Sequence, residues 1–535
     1  MKNIIYSNRK KLILAILLLA FVLRFYKLGQ IPLSLDWDEN SNAYNAYSIL
    51  KTGRDEYGTF LPITNRSFDD YKPPLYMYLN IPTVAIFGLT PIAARLPSAL
   101  FGFLTVPFIY FLAKWLFKTY DKRDNETIAL IATLFVAISP WHIQFNRVGF
   151  ESSVGLFTAV VAITTFLYGL DNKKLLIVSA LFTALSAYSY HSERIFVPLL
   201  FIATGIIYRK EILKIPKKLL ITFVALTIIL SLPLAILIPP KVILQRFEAT
   251  TGRPSLEDIE KSIKFIRQDQ AADIPFAGII HNRRFVIGQT YFANYLLNFD
   301  FNFLFTKGDD NLRHHIKDIG MLYLPQLPLL LIGVFYLIKQ KSKESAFLLS
   351  WLLISPIAAV PATPNPHANR AFPEVIALEI ICAFGLYWVL IRQKFFAKSI
   401  LVCILALWSI YSTLLYIHNY FVHYPIEDAS FWQYGYNQAA LESQKLENQY
   451  QKINVDHSIE QAYVFWLFNL KYDPTTYQKS GSRYQFDKYY FDAKEPTDPN
   501  ELFIADNQKF PQGFEVIKTI YYPDGSPAVK MGHPK

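Results

Sequence analysis

The chain has 535 residues, of which 52% are hydrophobic and only 18% are charged. Water-soluble proteins carry about a quarter charged residues, so this composition disfavours a purely soluble enzyme. The net charge of +11 comes from short basic clusters between apolar runs, which is typical of a membrane protein rather than of a nucleic-acid-binding protein. Both cysteines, Cys382 and Cys403, fall in apolar stretches, which disfavours a disulfide framework and metal–thiolate chemistry.

A helix that spans a bilayer needs about 20 mostly apolar residues, and the sequence contains eleven candidate stretches. The first is interpreted as a span and not as a cleaved signal peptide, because Arg24 and Lys27 follow its apolar run directly and no small-residue cleavage site is present. The predicted spans cover residues 12–29, 93–117, 128–146, 153–170, 174–190, 194–208, 219–238, 319–338, 345–361, 371–391 and 399–418.

The basic clusters fall on one side when these spans are threaded alternately through the bilayer. Short cytoplasmic loops are enriched in lysine and arginine, so that side is predicted to be cytoplasmic and to hold the N-terminus. Every long segment then lies on the extracytoplasmic side. The predicted parts are a transmembrane domain at 1–418, its first extracytoplasmic loop at 30–92, its large extracytoplasmic loop at 239–318, and an extracytoplasmic domain at 419–535.

The first loop is predicted to contain two amphipathic helices that lie on the membrane surface. One starts near Asp36 and ends at Gly53, which has the position of a helix C-cap. The second follows Lys72-Pro73-Pro74 and runs to Gly88, because proline suits the first turn of a helix. It contains Pro82 and is too short to span a bilayer.

The other extracytoplasmic segments differ in composition. The large loop is polar, with a helical pattern from Leu256 to Asp269 and an aromatic stretch at 292–305, and it is predicted to form surface helices. The tail is rich in tyrosine, proline and glycine and is predicted to be a small α/β domain. Its predicted elements are a helix at 428–447 and strands at 451–455, 502–506 and 514–521.

Ionisable residues gather at the extracytoplasmic ends of the predicted spans, and such residues in a membrane protein are functional candidates. Carboxylates together with fixed cations suit a reaction that deprotonates a hydroxyl and expels an anionic leaving group such as a phosphate. The candidates are Asp36, Asp38, Glu39, Lys72, Arg95, Arg147, Glu151, His191, Glu193, Arg194, His367 and Arg370.

Each candidate also has a structural interpretation. Asp36 or Asp38 fits the N-cap of a surface helix, and a lone lysine such as Lys72 often extends to the membrane interface. The arginines fit interfacial anchors or partners of nearby glutamates, and loop histidines are more often structural than metal ligands. Asp36-x-Asp38 also matches the pattern that holds a divalent cation in some sugar transferases, although a bare tripeptide is a weak signal. Asp309-Asp310 is interpreted as a pair of solvated loop charges.

Four motifs occur in a characteristic order between residues 38 and 100, within a resemblance that extends over about residues 10 to 200: Asp38-Glu39, Gly53, Lys72-Pro73-Pro74-Leu75 and Ala94-Arg95-Leu96-Pro97-Ser98-Ala99-Leu100. In order and spacing they resemble the polyprenyl-phosphate-sugar-dependent glycosyltransferases of the GT-C superfamily. The resemblance is to the branch that contains protein O-mannosyltransferases and lipid A aminoarabinose transferases. It implies an α-helical polytopic membrane protein of GT-C type with a large extracytoplasmic cavity.

The resemblance also implies roles for the candidates. Asp38 would be the general base, and Glu39 would orient or bind the acceptor. Lys72, Arg95 and Arg194 would lie near the donor phosphate. Where the aminoarabinose transferases usually have a lysine, this chain has His191-Ser192-Glu193-Arg194, so the identity of the substrate does not carry over. The remaining candidates would contact substrate: Asp36, Arg147, Glu151, His191, Glu193, His367 and Arg370.

The sequence therefore predicts a membrane glycosyltransferase that moves mannose or a similar sugar from a polyprenyl phosphate to a hydroxyl of a protein, lipid or glycan, with inversion. The expected setting is a prokaryotic plasma membrane, with no nucleic acid as partner. The resemblance implies no cofactor, and a divalent cation is possible but not favoured. The alternatives are a transporter, which would carry ionisable residues at mid-membrane, and a membrane scaffold or binding protein without catalytic activity. An oligosaccharyltransferase is disfavoured because no Trp-Trp-Asp-Tyr-Gly signature is present.

Overall fold

The computed structural model describes residues 6–68, 70–238, 256–392 and 395–535. Residues 239–255 of the predicted large loop lie outside the described residues. The helices up to residue 418 are α1 Arg9–Phe25, α2 Trp37–Thr52, α3 Leu75–Phe87, α4 Pro91–Leu116, α5 Lys122–Ile138, α6 Pro140–Asn146, α7 Glu151–Gly169, α8 Leu175–Ser189, α9 Glu193–Ile207, α10 Lys217–Leu237, α11 Leu256–Ala271, α12 Arg283–Leu297, α13 Gln326–Gln340, α14 Lys343–Ile354, α15 Glu374–Arg392 and α16 Phe395–His418. Short helical turns occur at Arg209–Ile212, Ala277–Ile280, Asn302–Thr306 and Ser355–Ala358.

Each of the eleven predicted spans contains a helix, but their number is not confirmed. Within the described ranges, five helices are long and apolar enough to cross a bilayer by themselves. A sixth span results if α5 and α6 are counted together, although the two helices bend by 53°. The span predicted at 128–146 therefore consists of two helices with a bend between them. Pro140 lacks a backbone N–H and cannot continue the hydrogen bonding of α5, which explains the bend. The five helices are Pro91–Leu116, Glu151–Gly169, Lys217–Leu237, Glu374–Ile391 and Ile400–Glu427.

The helices differ strongly in burial. In the apolar 18-residue segment of α7, 89% is buried inside the protein, and the corresponding share for α15 is 83%. The same share is only 6% for α10 and 11% for α16. The helix bundle is therefore built around α7 and α15, and the apolar surfaces of α10 and α16 are left to face lipid.

The two helices predicted in the first loop are present. In α2, Asp36 is the N-cap and forms a reciprocal capping box with Glu39, while Gly53 ends the helix in the left-handed conformation. α3 begins after Pro74 and contains Pro82. α2 does not have the exposed face that was expected of an amphipathic helix on the membrane surface, because most of its side chains are buried.

The tail contains the predicted α/β structure, with a six-stranded sheet. In order across the sheet the strands are β4 Gln485–Phe486, β5 Tyr489–Ala493, β3 Lys452–Asp456, β6 Glu501–Asp506, β8 Pro527–Pro534 and β7 Phe514–Tyr521. β3 pairs in parallel with β5 and β6, and the other pairs are antiparallel. A separate hairpin, β1 Asn65–Ser67 and β2 Asp70–Lys72, precedes α3. The helices of the tail are α17 Tyr434–Leu446, α18 Ala462–Asn469 and α19 Pro474–Ser480, with short helical turns at Tyr424–Glu427 and Glu447–Gln449.

The three predicted strands correspond to β3, β6 and β7, whereas β8 was not predicted from the sequence. It contains proline and glycine, which are depleted in strands, yet it lies between β6 and β7. Its place in the sheet is fixed by pairing with both neighbours and not by its own composition.

The tail packs directly on α2. Asn437 of α17 donates to the Ser34 hydroxyl at 2.7 Å and to the Leu35 carbonyl at 2.8 Å. Gln433 accepts a hydrogen bond from the backbone N–H of Trp37 at 2.9 Å. Apolar residues of α2 and of the tail sheet share one hydrophobic core. α2 is therefore enclosed between the tail and the helix bundle.

One carboxyl group is buried near the end of α2. Glu56 is 3% exposed, and one of its oxygens accepts from Asn45 at 3.1 Å. Burial, with a smaller contribution from Asp55, raises the pKa of Glu56 to about 8. The folded protein therefore keeps a proton on Glu56 at neutral pH that the unfolded chain releases.

We expect this proton to make the stability of the protein depend on pH. The contribution of the protonated Glu56 to the free energy of unfolding is fully present below its ordinary pKa of 4.5. It is lost as the pH rises through about 8. Glu56→Gln keeps the volume without titrating, so its thermal unfolding midpoint should fall less than that of the wild type between about pH 6 and about pH 9, by about 3 °C or more. Identical pH profiles for the two proteins would contradict the prediction.

Candidate active site

A cavity of about 460 Å³ lies where the first loop, the helix bundle and the turn before α15 meet. A second cavity of about 270 Å³ lies next to it, towards the tail. We call them the inner and the outer cavity. Six residues line both cavities: Asp38, Lys72, Glu151, Tyr190, His191 and Asn369. The predicted candidates Arg194, His367 and Arg370 line the inner cavity.

Asp38 and Lys72 form an ion pair on the shared wall of the two cavities. Asp38 projects from the first turn of α2, and its side chain is 30% exposed. Lys72 ends β2 and is buried. Burial alone would lower the pKa of Lys72, but the carboxylates of Asp38 and Glu151 outweigh it and raise that pKa above its ordinary value. Lys72 is therefore a permanent cation beside the Asp38 carboxylate.

Asp36 and Glu39 are buried beneath α2 and are not among the residues that line either cavity. Asp36 accepts from the backbone N–H of Glu39 at 2.9 Å and from Arg313 at 2.7 Å. Glu39 accepts from the backbone N–H of Gly149 at 2.8 Å and from the Nε of Arg95 at 2.8 Å. Because Asp36 is committed to these contacts, Asp36-x-Asp38 is not arranged as a cation site.

Arg95 is fully buried, and its donors are used within the protein. Besides two contacts to the Glu39 carboxylate, its guanidinium donates to the carbonyls of Leu28, Pro32 and Ser34. These five hydrogen bonds match the five N–H groups of a guanidinium. This placement differs from the expected contact with a phosphate.

Arg147 and Glu193 are also placed away from the cavity walls. Arg147 is fully buried and donates to the carbonyls of Leu23 and Tyr26, at 3.0 and 2.8 Å, where α1 ends. Glu193 is 1% exposed and packs against Gly155 of α7. In the structure both side chains pack between helices, and neither lines the inner or the outer cavity.

The inner cavity has a cationic wall that includes residues not predicted from the sequence. Arg194 contacts His191 at 3.3 Å and donates to the Ala187 carbonyl at 2.9 Å. Burial and the neighbouring Arg194 lower the pKa of His191 to about 3, so this histidine is neutral at physiological pH. Arg313 and His314 were missed, although an Asn-Leu-Arg-His-His run directly before a predicted span is the same kind of signal as the other candidates.

The interpretation of Asp309 as a solvated loop charge is wrong. Its side chain is 3% exposed, and it accepts from the ring Nδ1 of His314 at 2.6 Å and from the backbone N–H of Ala368 at 2.8 Å. Asp310 is exposed, as expected. The two neighbouring aspartates thus differ in solvent exposure, because the chain turns inward at Asp309 and meets the segment before α15.

Four helices begin beside the cavities: α2, α7, α9 and α15. A helix N-terminus carries a partial positive charge and favours anions. Each of the four has an acidic residue in its first turn, including Glu151 in α7 and Glu374 in α15. The carboxylates therefore stabilise helix ends, and the helix ends add to the positive potential around the inner cavity.

Parts of the sequence are similar to known proteins. Residues 71–234 match the family described as dolichyl-phosphate-mannose-protein mannosyltransferase. A stretch of 128 residues is 36% identical to a protein of Aquifex aeolicus (strain VF5), covering 24% of this chain and 29% of that protein. The family match at 71–234 includes Lys72, the helices α3 to α9 and most of α10.

Two solved structures share the fold. ArnT from Cupriavidus metallidurans, bound to undecaprenyl phosphate, is 11% identical with a TM-score of 0.56 over 97% of both chains. The archaeal oligosaccharyltransferase AglB from Archaeoglobus fulgidus, in complex with an inhibitory peptide and a dolichol-phosphate, is 15% identical with a TM-score of 0.53. That alignment covers 86% of this chain but only 63% of AglB. The chain therefore has the fold of the GT-C glycosyltransferases.

The family match and this fold together support the resemblance to the polyprenyl-phosphate-sugar-dependent GT-C family. The resemblance predicted from the four sequence motifs is thereby confirmed.

The geometry makes different predictions for Arg95 and for Arg194. Arg95→Met should destabilise the protein by about 3–5 kcal/mol, because it leaves the buried Glu39 carboxylate and three carbonyls without their donor. Arg194→Met, the same change on the cavity wall, should leave the unfolding midpoint near that of the wild type. Thermal unfolding of the purified proteins checks this. A fully stable Arg95→Met that binds donor weakly would contradict the assignment.

Proposed function

We propose that this protein is an extracytoplasmic membrane glycosyltransferase of the plasma membrane. It moves a sugar, mannose or a similar one, from a polyprenyl phosphate to an acceptor hydroxyl, with inversion by a single displacement. The observation that carries the proposal is the position of Asp38 between two cavities of opposite charge. The residues that line only the inner cavity include Arg194, Arg313 and Arg370, whereas those that line only the outer cavity include Asp70 and Glu460.

The separation of charge suits a displacement at an anomeric carbon. The leaving group is a phosphate, which the arginines and the helix N-termini of the inner cavity stabilise without rearrangement. The acceptor approaches from the opposite side, through the outer cavity. The reacting carbon then lies at the shared wall, beside Asp38 and Lys72.

Asp38 acts as the general base in this mechanism. It takes the proton of the acceptor hydroxyl while the acceptor oxygen bonds to the anomeric carbon and the bond from that carbon to the phosphate oxygen breaks. The electron pair of the broken bond leaves with the polyprenyl phosphate. Lys72 pairs with the Asp38 carboxylate and, at the shared wall, adds positive charge near the departing phosphate. One displacement inverts the anomeric configuration.

Arg95 and Glu39 serve this reaction as positioning residues. Their ion pair fixes the N-terminal turn of α2, from which Asp38 projects. Glu151 accepts from Asn42 of α2 at 3.0 Å and links the same helix to α7. The general base is thus held by buried contacts on both sides.

Asp38→Asn should reduce sugar transfer at least about 100-fold, because the amide cannot accept the proton. The purified full chain is given polyprenyl-phosphate mannose and other donors with a mixture of membrane and protein extracts, and released polyprenyl phosphate is measured by mass spectrometry. Asp310→Asn, the same change at an exposed position, is the control and should match the wild type. Equal release by Asp38→Asn and the wild type would remove Asp38 as the base.

Substitutions in the two cavities should change the KM of different substrates. Arg194→Met should raise the KM for the donor about tenfold, because a charge-assisted hydrogen bond contributes about 1.5–3 kcal/mol, and should leave the acceptor KM unchanged. Glu460→Gln on the tail should raise the acceptor KM and leave the donor KM unchanged. Steady-state kinetics with each substrate varied in turn measure both KM values. A raised acceptor KM for Arg194→Met and a raised donor KM for Glu460→Gln would overturn the assignment of the cavities.

A further inference from the structure

Three potential metal ligands meet beside the inner cavity. Asp309, His314 and His367 come from the segment before α13 and the turn before α15, and their ligand atoms lie within 4.8 Å of one another. His314 and His367 both line the inner cavity. The cluster is separate from Asp36-x-Asp38, whose Asp36 is engaged by Arg313.

A simple hydrogen-bonded pair accounts for only two of the three residues. Asp309 and His314 contact each other at 2.6 Å, but the His367 ring lies 5.4 Å from that of His314. The Nδ1 of His367 is buried and has no hydrogen-bond partner within the described part of the chain. A buried ring nitrogen without a partner is costly, and a bound cation would satisfy it.

The surroundings orient the carboxylate as in built metal sites. Backbone N–H groups of Asn311 and Ala368 donate to the two oxygens of Asp309, at 3.1 and 2.8 Å. The Asp309 carbonyl contacts the Nε2 of His315 at 2.7 Å. Such outer contacts fix the ligands of a metal ion in place. Arg313 nearby is paired with Asp36, which offsets its repulsion of a cation.

We propose that Asp309, His314 and His367 bind a divalent transition-metal ion of the zinc class. Two imidazoles and one carboxylate are a ligand set that Zn²⁺ accepts, and three protein ligands leave a coordination position open. Because His314 and His367 line the inner cavity, the open position would face it and would take water or an oxygen of a phosphate. The inference that the ion would take an oxygen of a phosphate rests on the proposed function. The proposal differs from the sequence-based expectation that no divalent cation is favoured.

The test measures metal binding without substrate. Tag-free, full-length protein in detergent is stripped with a chelator, incubated with micromolar Zn²⁺, freed of excess ion and analysed for zinc by mass spectrometry. We expect about one Zn²⁺ per chain, an increase in the unfolding midpoint on zinc addition, and a Co²⁺ absorption spectrum typical of imidazole and carboxylate ligands. Wild-type protein without bound zinc would overturn the proposal.

Variants locate the ion. His367→Ala and Asp309→Asn should bind zinc at least about tenfold more weakly, and zinc should no longer raise their unfolding midpoints. The control is His457→Ala, which disrupts another His–Asp pair, at 3.1 Å on the tail, and should bind zinc like the wild type. Zinc retained by His367→Ala and Asp309→Asn would overturn the site. Asp38→Asn should bind zinc normally, so failure of the transfer mechanism and failure of the metal site give different results.

Discussion

The buried ion pair between Glu39 and Arg95 is the contact on which the candidate site depends. It joins the first turn of α2 to α4, and both side chains are fully shielded from solvent. A buried charge is tolerated only when it is paired and hydrogen-bonded, so removal of either partner is more costly than the pair itself is stabilising. The backbone N–H of Gly149 adds a third segment to this junction. The position of Asp38, one residue before Glu39, follows from it.

The tail completes the site that the helix bundle begins. It covers α2, contacts Arg95 through the Trp432 ring at 5.9 Å, and contributes Glu460 and Gln461 to the outer cavity. Because α2 is enclosed on both sides, its N-terminal turn cannot move without disturbing the tail or the bundle. The tail is thus part of the wall of the outer cavity and not an appended module.

Helix ends and side chains produce the charge pattern together. Four helix N-termini meet near the cavities, and the acidic residue in each first turn stabilises its own helix. Three of these residues, Glu39, Glu193 and Glu374, are withdrawn into the protein. Asp38, in contrast, is partly exposed and lines both cavities, and Arg194, Arg313 and Arg370 line the inner cavity. Burial therefore separates the carboxylates that fit the structural interpretation from Asp38, which fits the functional one.

The sequence by itself determined the local features: the capping box at Asp36, the end of α2 at Gly53, the apolar helices, and the motif around Lys72. These depend on residues one or two turns apart. The roles of Arg95, Arg313 and Asp309 could not be predicted, because their partners are distant in sequence. Glu39 and Arg95 are 56 residues apart, and Asp36 and Arg313 are 277 apart. Burial of a charge is decided by which segments pack on it, and only the tertiary structure brings those segments together.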